Sequence, residues 1–290
     1  MPNARLDNCQ IEYDDTGSGV PLIFSHEFAG SMESWTMQKN YFARRYRVIS
    51  YNAKGYPPSS IPETWQEYTY DHQVKVLLDL LNHLHLEKAY ICGLSMGAYT
   101  ALQFGIAHPE RCIGIISAGV GTGSADPKKF LRESEERANL LDTKGMRAME
   151  SYLSGSTRIR FKEKDPLGWQ VFSDLFHLHS PQGSANTLRG FQGRRPSIFT
   201  LTKELQELNV PILVMYGDED EPCVEPSLFI KKNAPRCGLA VLPQTGHACN
   251  LEEPAMFNYF VGEFIASVEA EKWNEMPEDS GDNWAVSRTS

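Results

Sequence analysis

Residues 89–97 read Ala-Tyr-Ile-Cys-Gly-Leu-Ser-Met-Gly, so that Ser95 stands between two glycines. The apolar residues before Ser95 favour a strand, and residues 96–107 favour a helix that ends at His108-Pro109. A tight turn from strand to helix presents a serine hydroxyl free of the backbone, and flanking glycines relieve the crowding of such a turn. The helix also directs free N–H groups toward negative charge that develops at the serine. The pattern therefore predicts that Ser95 is a nucleophile.

A serine nucleophile needs a histidine base, which a carboxylate holds in orientation. His247 is the only histidine beyond residue 179, and it follows an apolar run at 239–242 that favours a strand. Four carboxylates, from Asp218 to Glu221, follow another apolar run and compete for the role of the acid. The other seven histidines have no metal-ligand spacing with cysteines, so no metal is expected.

The chain alternates short apolar runs with helical patterns over residues 1–123 and again over 207–269. This alternation is typical of a mostly parallel central sheet flanked by helices. Residues 124–206 carry helical patterns without a clear strand, which predicts an inserted helical cap, and the polar residues 270–290 predict a flexible tail. Because Ser95 and the candidate base and acid lie on opposite sides of the insertion, we expect one α/β core rather than two small domains.

Composition narrows the class of protein further. The chain has 290 residues, of which 41% are hydrophobic and 22% charged, as in ordinary globular proteins. Its net charge of −9 disfavours nucleic acid and anionic membrane as partners. No run approaches the roughly 18 apolar residues of a membrane span, and no secretory signal opens the sequence, so a cytoplasmic location is expected. Six cysteines without a Cys-x-x-Cys pair indicate reduced thiols. The oligomeric state is left open, with a homodimer as one option.

Together these motifs resemble the α/β-hydrolase superfamily, in particular its cap-bearing esterases and enol-lactonases. The resemblance rests on Tyr13 to Pro21 with Ser25-His26, on the Gly-x-Ser-x-Gly motif, on Gly217 to Asp220, and on Gly246-His247. In that family the acid falls three residues after the glycine, which implies Asp220 rather than Asp218. Enol-lactonases also share the positions of Ser25 and Trp35.

The resemblance also implies an oxyanion hole, which needs two N–H donors. Met96, directly after Ser95, supplies one, and Phe28 in the loop after an early strand supplies the other. The chain departs from the family at Glu27, where a glycine is usual. A carboxylate pointing inward would lie close to the oxyanion, so we expect Glu27 to point outward, with contact to the substrate as the alternative.

The implied activity is hydrolysis of a small carboxylic ester or lactone through an acyl-serine, without metal or organic cofactor. A serine nucleophile excludes the dehalogenases and epoxide hydrolases of this fold, which attack with aspartate. Three alternatives stay open. They are a carbon–carbon bond hydrolase of the meta-cleavage type, a ligand receptor that retains the triad and turns over slowly, and a cofactor-free oxygenase or perhydrolase.

Specificity is expected to lie in the cap. Residues 124–206 carry 14 Lys and Arg against 10 Asp and Glu, whereas the rest carries 14 against 27. Because the cap is basic and the body acidic, an anionic substrate is one of the alternatives. We therefore weigh Arg194 as a partner for a substrate carboxylate against a solvated arginine. Trp169 and Phe191 are weighed as an apolar substrate pocket against simple core.

Overall fold

The computed structural model describes residues 2–275, whose centre is an eight-stranded sheet. Its spatial order is β1-β2-β4-β3-β5-β6-β7-β8. The first two strands run antiparallel to their neighbours, and the six strands from β3 to β8 are parallel. The strands are β1 Asn3–Arg5, β2 Gln10–Gly17, β3 Pro21–Ser25, β4 Arg47–Tyr51, β5 Ala89–Leu94, β6 Cys112–Ala118, β7 Ile212–Gly217 and β8 Cys237–Leu242.

Helices cover both faces of the sheet. Successive side chains of a strand point to opposite faces, and accordingly Ile91 joins the apolar cluster under α2 and α3 while Cys92 joins the cluster under α1 and α12. Strands buried on both faces are the reason that β5 and β7 are apolar throughout. The helices are α1 Thr36–Phe42, α2 Tyr70–His83, α3 Met96–Ala107, α4 Pro127–Lys144, α5 Glu150–Leu153, α6 Ser156–Lys164, α7 Pro166–His177, α8 Pro181–Thr187, α9 Thr202–Glu207, α10 Glu221–Asn233, α11 Cys249–Glu252 and α12 Pro254–Glu269.

The segment between β6 and β7 is helical. It contains α4 to α9, and residues 124–206 hold no strand. Several of its aromatic side chains form an apolar cluster, among them Phe161 and Phe176, and this cluster also includes Phe28 and Ala248 from the body. The cap segment is therefore seated on the loops that follow β3 and β8.

The predicted fold class, an α/β sheet flanked by helices, is confirmed. The strand β1 was not predicted, because three residues give too short a pattern to recognise. The expectation of an unpacked tail from residue 270 is wrong for Trp273, whose ring packs edge-on at 4.7 Å against Phe264 and whose indole N–H donates to the Arg236 carbonyl. The rest of the predicted tail, 276–290, lies outside the described residues. Among residues 2–275, no helix has both the length and the apolar character needed to cross a membrane.

Candidate active site

Ser95 occupies a strained turn between β5 and α3. Its backbone has φ 54° and ψ −105°, a conformation that residues with a side chain rarely adopt. A Cβ on Gly97 would lie 2.0 Å from the Ser25 carbonyl oxygen, and a Cβ on Gly93 would lie 2.1 Å from the backbone of Gly97. Both flanking positions therefore require glycine, which explains the motif that the sequence displays.

The structure brings His247 and Asp220 together from the loops after β8 and β7. The imidazole Nδ1 lies 2.7 Å from Oδ2 of Asp220. Because a carboxylate oxygen accepts, Nδ1 carries the proton and Nε2 is left with its lone pair. Burial alone would raise the pKa of Asp220, but the charge of His247 and its hydrogen bond lower it overall. The acid is thus held in the charged form that a protonated imidazole needs.

Asp218 has a different role from Asp220. Its Oδ1 accepts the Thr245 N–H at 3.1 Å, and its side chain does not line the cavity at Ser95. The contact ties the loop after β7 to the loop that carries His247. Of the two aspartates that the sequence left in competition, Asp220 faces the imidazole and Asp218 orders the turn.

One cluster among the described residues could in principle hold a metal ion. Single ligand atoms of Asp220, Cys223 and His247 lie within 4.8 Å of one another. The Cys223 sulfur is 4.0 Å from Nδ1 of His247, and burial raises the pKa of its thiol well above the ordinary value. A metal on Nδ1 would have to replace the hydrogen bond to Asp220, so we assign these groups to orientation of the imidazole.

The loop after β3 is fixed by buried hydrogen bonds. His26 donates through Nδ1 to the Glu27 carbonyl at 2.7 Å, and its Nε2 accepts the Ala53 N–H at 3.0 Å. This arrangement requires a neutral ring, and burial lowers the pKa of His26 to about 4. The Tyr56 hydroxyl donates to the Phe28 carbonyl at 2.9 Å. The loop backbone is thereby held rigid beside Ser95.

Two backbone amides are free to serve as an oxyanion hole. Within residues 2–275, neither the N–H of Phe28 nor that of Met96 donates a hydrogen bond to another protein group. Met96 is the first residue of α3, where amides lack partners inside the helix. Phe28 lines the same cavity as Ser95. The predicted pair of donors is available.

Glu27 is buried, which corrects the expectation that it points outward. Only 1% of it is exposed, and its carboxylate forms an ion pair with Arg158 of α6, which is 2% exposed. Oε2 of Glu27 also lies 3.9 Å from Nε2 of His247. A buried carboxylate needs a compensating charge, and the cap supplies one from 131 positions along the chain.

A cavity of about 440 Å³ opens beside Ser95, between the body and α4, α5 and α6. Sequence reasoning missed most of the residues that form its walls. Arg158 belonged to a basic run whose members looked equivalent in the sequence. The other wall residues carried no sequence signal that set them apart. The side chains or backbones that line it near Ser95 are Phe28, Thr122, Tyr152, Thr157, Arg158, Leu188, Gln192, Asp220, Pro222 and His247.

None of the four residues predicted as substrate contacts lines this cavity: Glu27 is held in its ion pair, and the other three lie elsewhere. Arg194 instead forms an ion pair with Glu135 at 2.8 Å, and its guanidinium lies 4.2 Å from the centroid of the Trp65 ring. Trp169 belongs to the apolar cluster inside the cap, and Phe191 packs edge-on against Tyr99 at 5.8 Å. The two aromatic side chains are core, as the alternative interpretation held.

The helix α6 connects the cap to each loop of the site. The Thr157 carbonyl accepts the backbone N–H of His247 at 2.7 Å. Arg160 makes a bidentate contact of 2.8 and 3.0 Å with Glu219, next to Asp220. Lys164 binds Glu252 at 3.2 Å, and Glu252 accepts the Gly246 N–H at 2.9 Å. Three of the four cations of α6, namely Arg158, Arg160 and Lys164, therefore bind the body.

Known proteins resemble this chain over most of its length. The family model for the α/β hydrolase fold matches residues 20–151. The 3-oxoadipate enol-lactonase 2 of Acinetobacter baylyi is 28% identical over 83% of this chain and 86% of its own. The 2-hydroxy-6-oxononadienedioate/2-hydroxy-6-oxononatrienedioate hydrolase 2 of Pseudomonas putida is 25% identical, covering 88% and 91%. The crystal structure of the enol-lactonase from Burkholderia xenovorans LB400 superposes with a TM-score of 0.81 at 21% identity, covering 91% and 100%. Since sequence and fold agree, the chain has the α/β-hydrolase fold and resembles the lactonases and hydrolases of that superfamily.

Proposed function

We propose that this protein is a serine hydrolase that cleaves a small, uncharged carboxylic ester or lactone. The observation that carries the proposal is that Ser95, the His247–Asp220 pair and Phe28 all line one cavity, with the free amide of Met96 directly after Ser95. A 3-oxoadipate enol-lactonase is among the relatives of the chain, which supports a lactone as the substrate class but not the absence of charge, since its substrate keeps one carboxylate. A cavity of about 440 Å³ suits a small substrate.

The proposed reaction has two halves. Ser95 Oγ attacks the carbonyl carbon while Nε2 of His247 takes the hydroxyl proton, and Asp220 stabilises the resulting imidazolium. The oxyanion accepts hydrogen bonds from the amides of Phe28 and Met96. The imidazolium then protonates the leaving alkoxide, which departs and leaves an acyl-serine. Water attacks the acyl-serine with the same base, and its collapse releases the acid and restores Ser95.

Charge pairing supports an uncharged substrate. Three basic side chains line the cavity, and each lies within 4.0 Å of a carboxylate. Arg158 pairs with Glu27, and both Lys129 and Arg137 lie close to Glu133. A substrate carboxylate would have to compete with these partners. The pairing therefore favours an uncharged substrate over the anionic substrate that the composition of the cap left open.

The test is a panel of 4-nitrophenyl esters and simple lactones, assayed with the wild type and Ser95→Ala. We expect turnover that vanishes in the variant, together with labelling of wild-type Ser95 by a fluorophosphonate. Activity that survives intact in Ser95→Ala would refute the nucleophile. Neutral esters should exceed their carboxylate-bearing analogues in kcat/KM, and the reverse order would refute the uncharged substrate.

A carbon–carbon bond hydrolase is the second candidate, because a relative is named as a hydrolase of a dienedioate. Such a substrate carries two carboxylates. Bleaching of a ring-fission dienone chromophore by the wild type, without turnover of any ester or lactone, would favour this candidate over the first.

A further inference from the structure

The loop that forms the oxyanion hole carries a buried negative charge. Glu27 directly precedes Phe28, and its Oε2 lies 3.9 Å from Nε2 of His247. Its other oxygen, Oε1, is buried without a hydrogen-bond partner among the described residues. Uncompensated, this carboxylate would oppose the oxyanion and would bind the imidazolium that must pass its proton to the leaving group.

The compensating charge comes from the cap. Arg158 contacts Glu27 through Nη2, and the same nitrogen donates to the Tyr152 hydroxyl at 3.2 Å. The guanidinium also lies over the Tyr152 ring, 4.8 Å from its centroid. The neighbouring carbonyl of Thr157 accepts the His247 N–H. One turn of α6 therefore supplies both the cation and a contact that positions the base.

We propose that Arg158 is a positioning residue that neutralises Glu27, so that the catalytic centre works only while α6 of the cap is seated on the body. The inference rests on the proposed function of Ser95 and His247. It makes the cap a component of the reaction centre in addition to a wall of the cavity. Seating of α6 delivers the guanidinium to Glu27, and its removal leaves a carboxylate beside the imidazole.

The expected size of the effect follows from the distance. At 3.9 Å and an effective dielectric constant of about 20, attraction between unit charges changes an equilibrium by about a thousandfold. Relaxation and water reduce this figure, so we expect Arg158→Met to lower kcat by about a hundredfold to a thousandfold. KM should change much less, because the neutralised charge acts on the base and the oxyanion.

The experiment is a double-mutant cycle of Arg158→Met, Glu27→Gln and both together, measured as kcat and KM on a 4-nitrophenyl ester. Neutral replacements of a buried ion pair are often well tolerated, so the double variant should fold and recover kcat to within about tenfold of wild type. Arg158→Lys, which keeps the charge, should lose less than Arg158→Met. Lys162→Met is the matched control from the same helix, because Lys162 lies over the Trp169 ring within the cap, and its kcat should stay within about threefold of wild type.

The proposal would be overturned by a double variant that is folded by thermal melting yet as inactive as Arg158→Met, or by an equal loss in Lys162→Met. The rate of fluorophosphonate labelling of Ser95 is measured in parallel, because it needs no substrate. If no ester is turned over but labelling follows the cycle, the proposed ester substrate fails while the role of Arg158 stands. If labelling is equal in all variants, the role of Arg158 fails independently of the substrate.

Discussion

Replacement of Asp220 by asparagine should show which carboxylate of its loop orients His247. Asp220 lies 2.7 Å from Nδ1 of His247, whereas Asp218 accepts a backbone N–H from Thr245 at 3.1 Å. Asparagine has nearly the same shape as aspartate and lacks the charge. Asp220→Asn and Asp218→Asn therefore form a matched pair that differs in which carboxylate is neutralised.

The expected loss can be estimated from that distance. At 2.7 Å and an effective dielectric constant of about 20, the attraction between the carboxylate and an imidazolium is about 6 kcal/mol. This is an upper bound, since asparagine retains a hydrogen bond. Asparagine can also donate to Nδ1, which favours the tautomer that has no lone pair at Nε2. We expect kcat/KM to fall by about 10³ to 10⁴ in Asp220→Asn, as for an orienting aspartate in a serine protease.

The assay is hydrolysis of the best 4-nitrophenyl ester near neutral pH, with thermal melting as the measure of folding. Asp218→Asn keeps the oxygen that accepts from Thr245, so its kcat/KM should stay within about threefold of wild type. An equal loss in both variants, or more than about a tenth of the activity in Asp220→Asn, would refute this assignment.

Three further outcomes are expected. Gly97→Ala should lower the free energy of unfolding in urea by at least about 2 kcal/mol, because its Cβ would lie 2.0 Å from a carbonyl oxygen. Gly262→Ala should raise it by up to about 1 kcal/mol, because nothing lies within 4 Å of its Cβ on α12. By NMR, His26 should stay neutral down to a pH near its pKa of about 4, and protonation near pH 6.5 in the folded protein would contradict this. The unfolded chain takes up that proton near pH 6.5, so the contribution of neutral His26 to stability is full above pH 6.5 and is lost below pH 4. Between pH 7 and 5 the free energy of unfolding should decrease by about 2 kcal/mol. Iodoacetamide near neutral pH should leave activity unchanged, because burial raises the pKa of the Cys223 and Cys249 thiols, and rapid inactivation would show that one of them is accessible.

The elbow at Ser95 was predictable because its cause is local. Two glycines, an apolar run and a helical pattern lie within twenty residues, and the close approach of Gly97 to Ser25 leaves no alternative to glycine. His247 could be found by chain order, since one histidine follows the last strand. The choice between Asp220 and Asp218 needed the family resemblance, because two carboxylates two residues apart give no local signal that distinguishes them.

Glu27 shows where sequence reasoning ends. The substitution of the usual glycine was visible, and solvent was the simplest place for its charge. The partner that makes an inward carboxylate tolerable is Arg158, which lies in a run of similar cations on a separate element. Only the packing of α6 against the loop after β3 distinguishes Arg158 from Arg160 or Arg194, and that packing is long-range. A buried charge at an unusual position was itself the signal to search for a compensating cation.

The same packing changes the meaning of the charge asymmetry between cap and body. A surplus of cations over an acidic body first suggested an anionic ligand held between them. In the structure three of the four cations of α6 bind acids that the body itself supplies, namely Glu27, Glu219, Glu252 and Glu253. Three of these acids lie in or beside the loops that carry Asp220 and His247, and the fourth lies in the oxyanion loop. The asymmetry therefore accounts for the seating of the cap. It also supports the proposed uncharged substrate, because Arg158, which lines the cavity at Ser95, is already paired with Glu27.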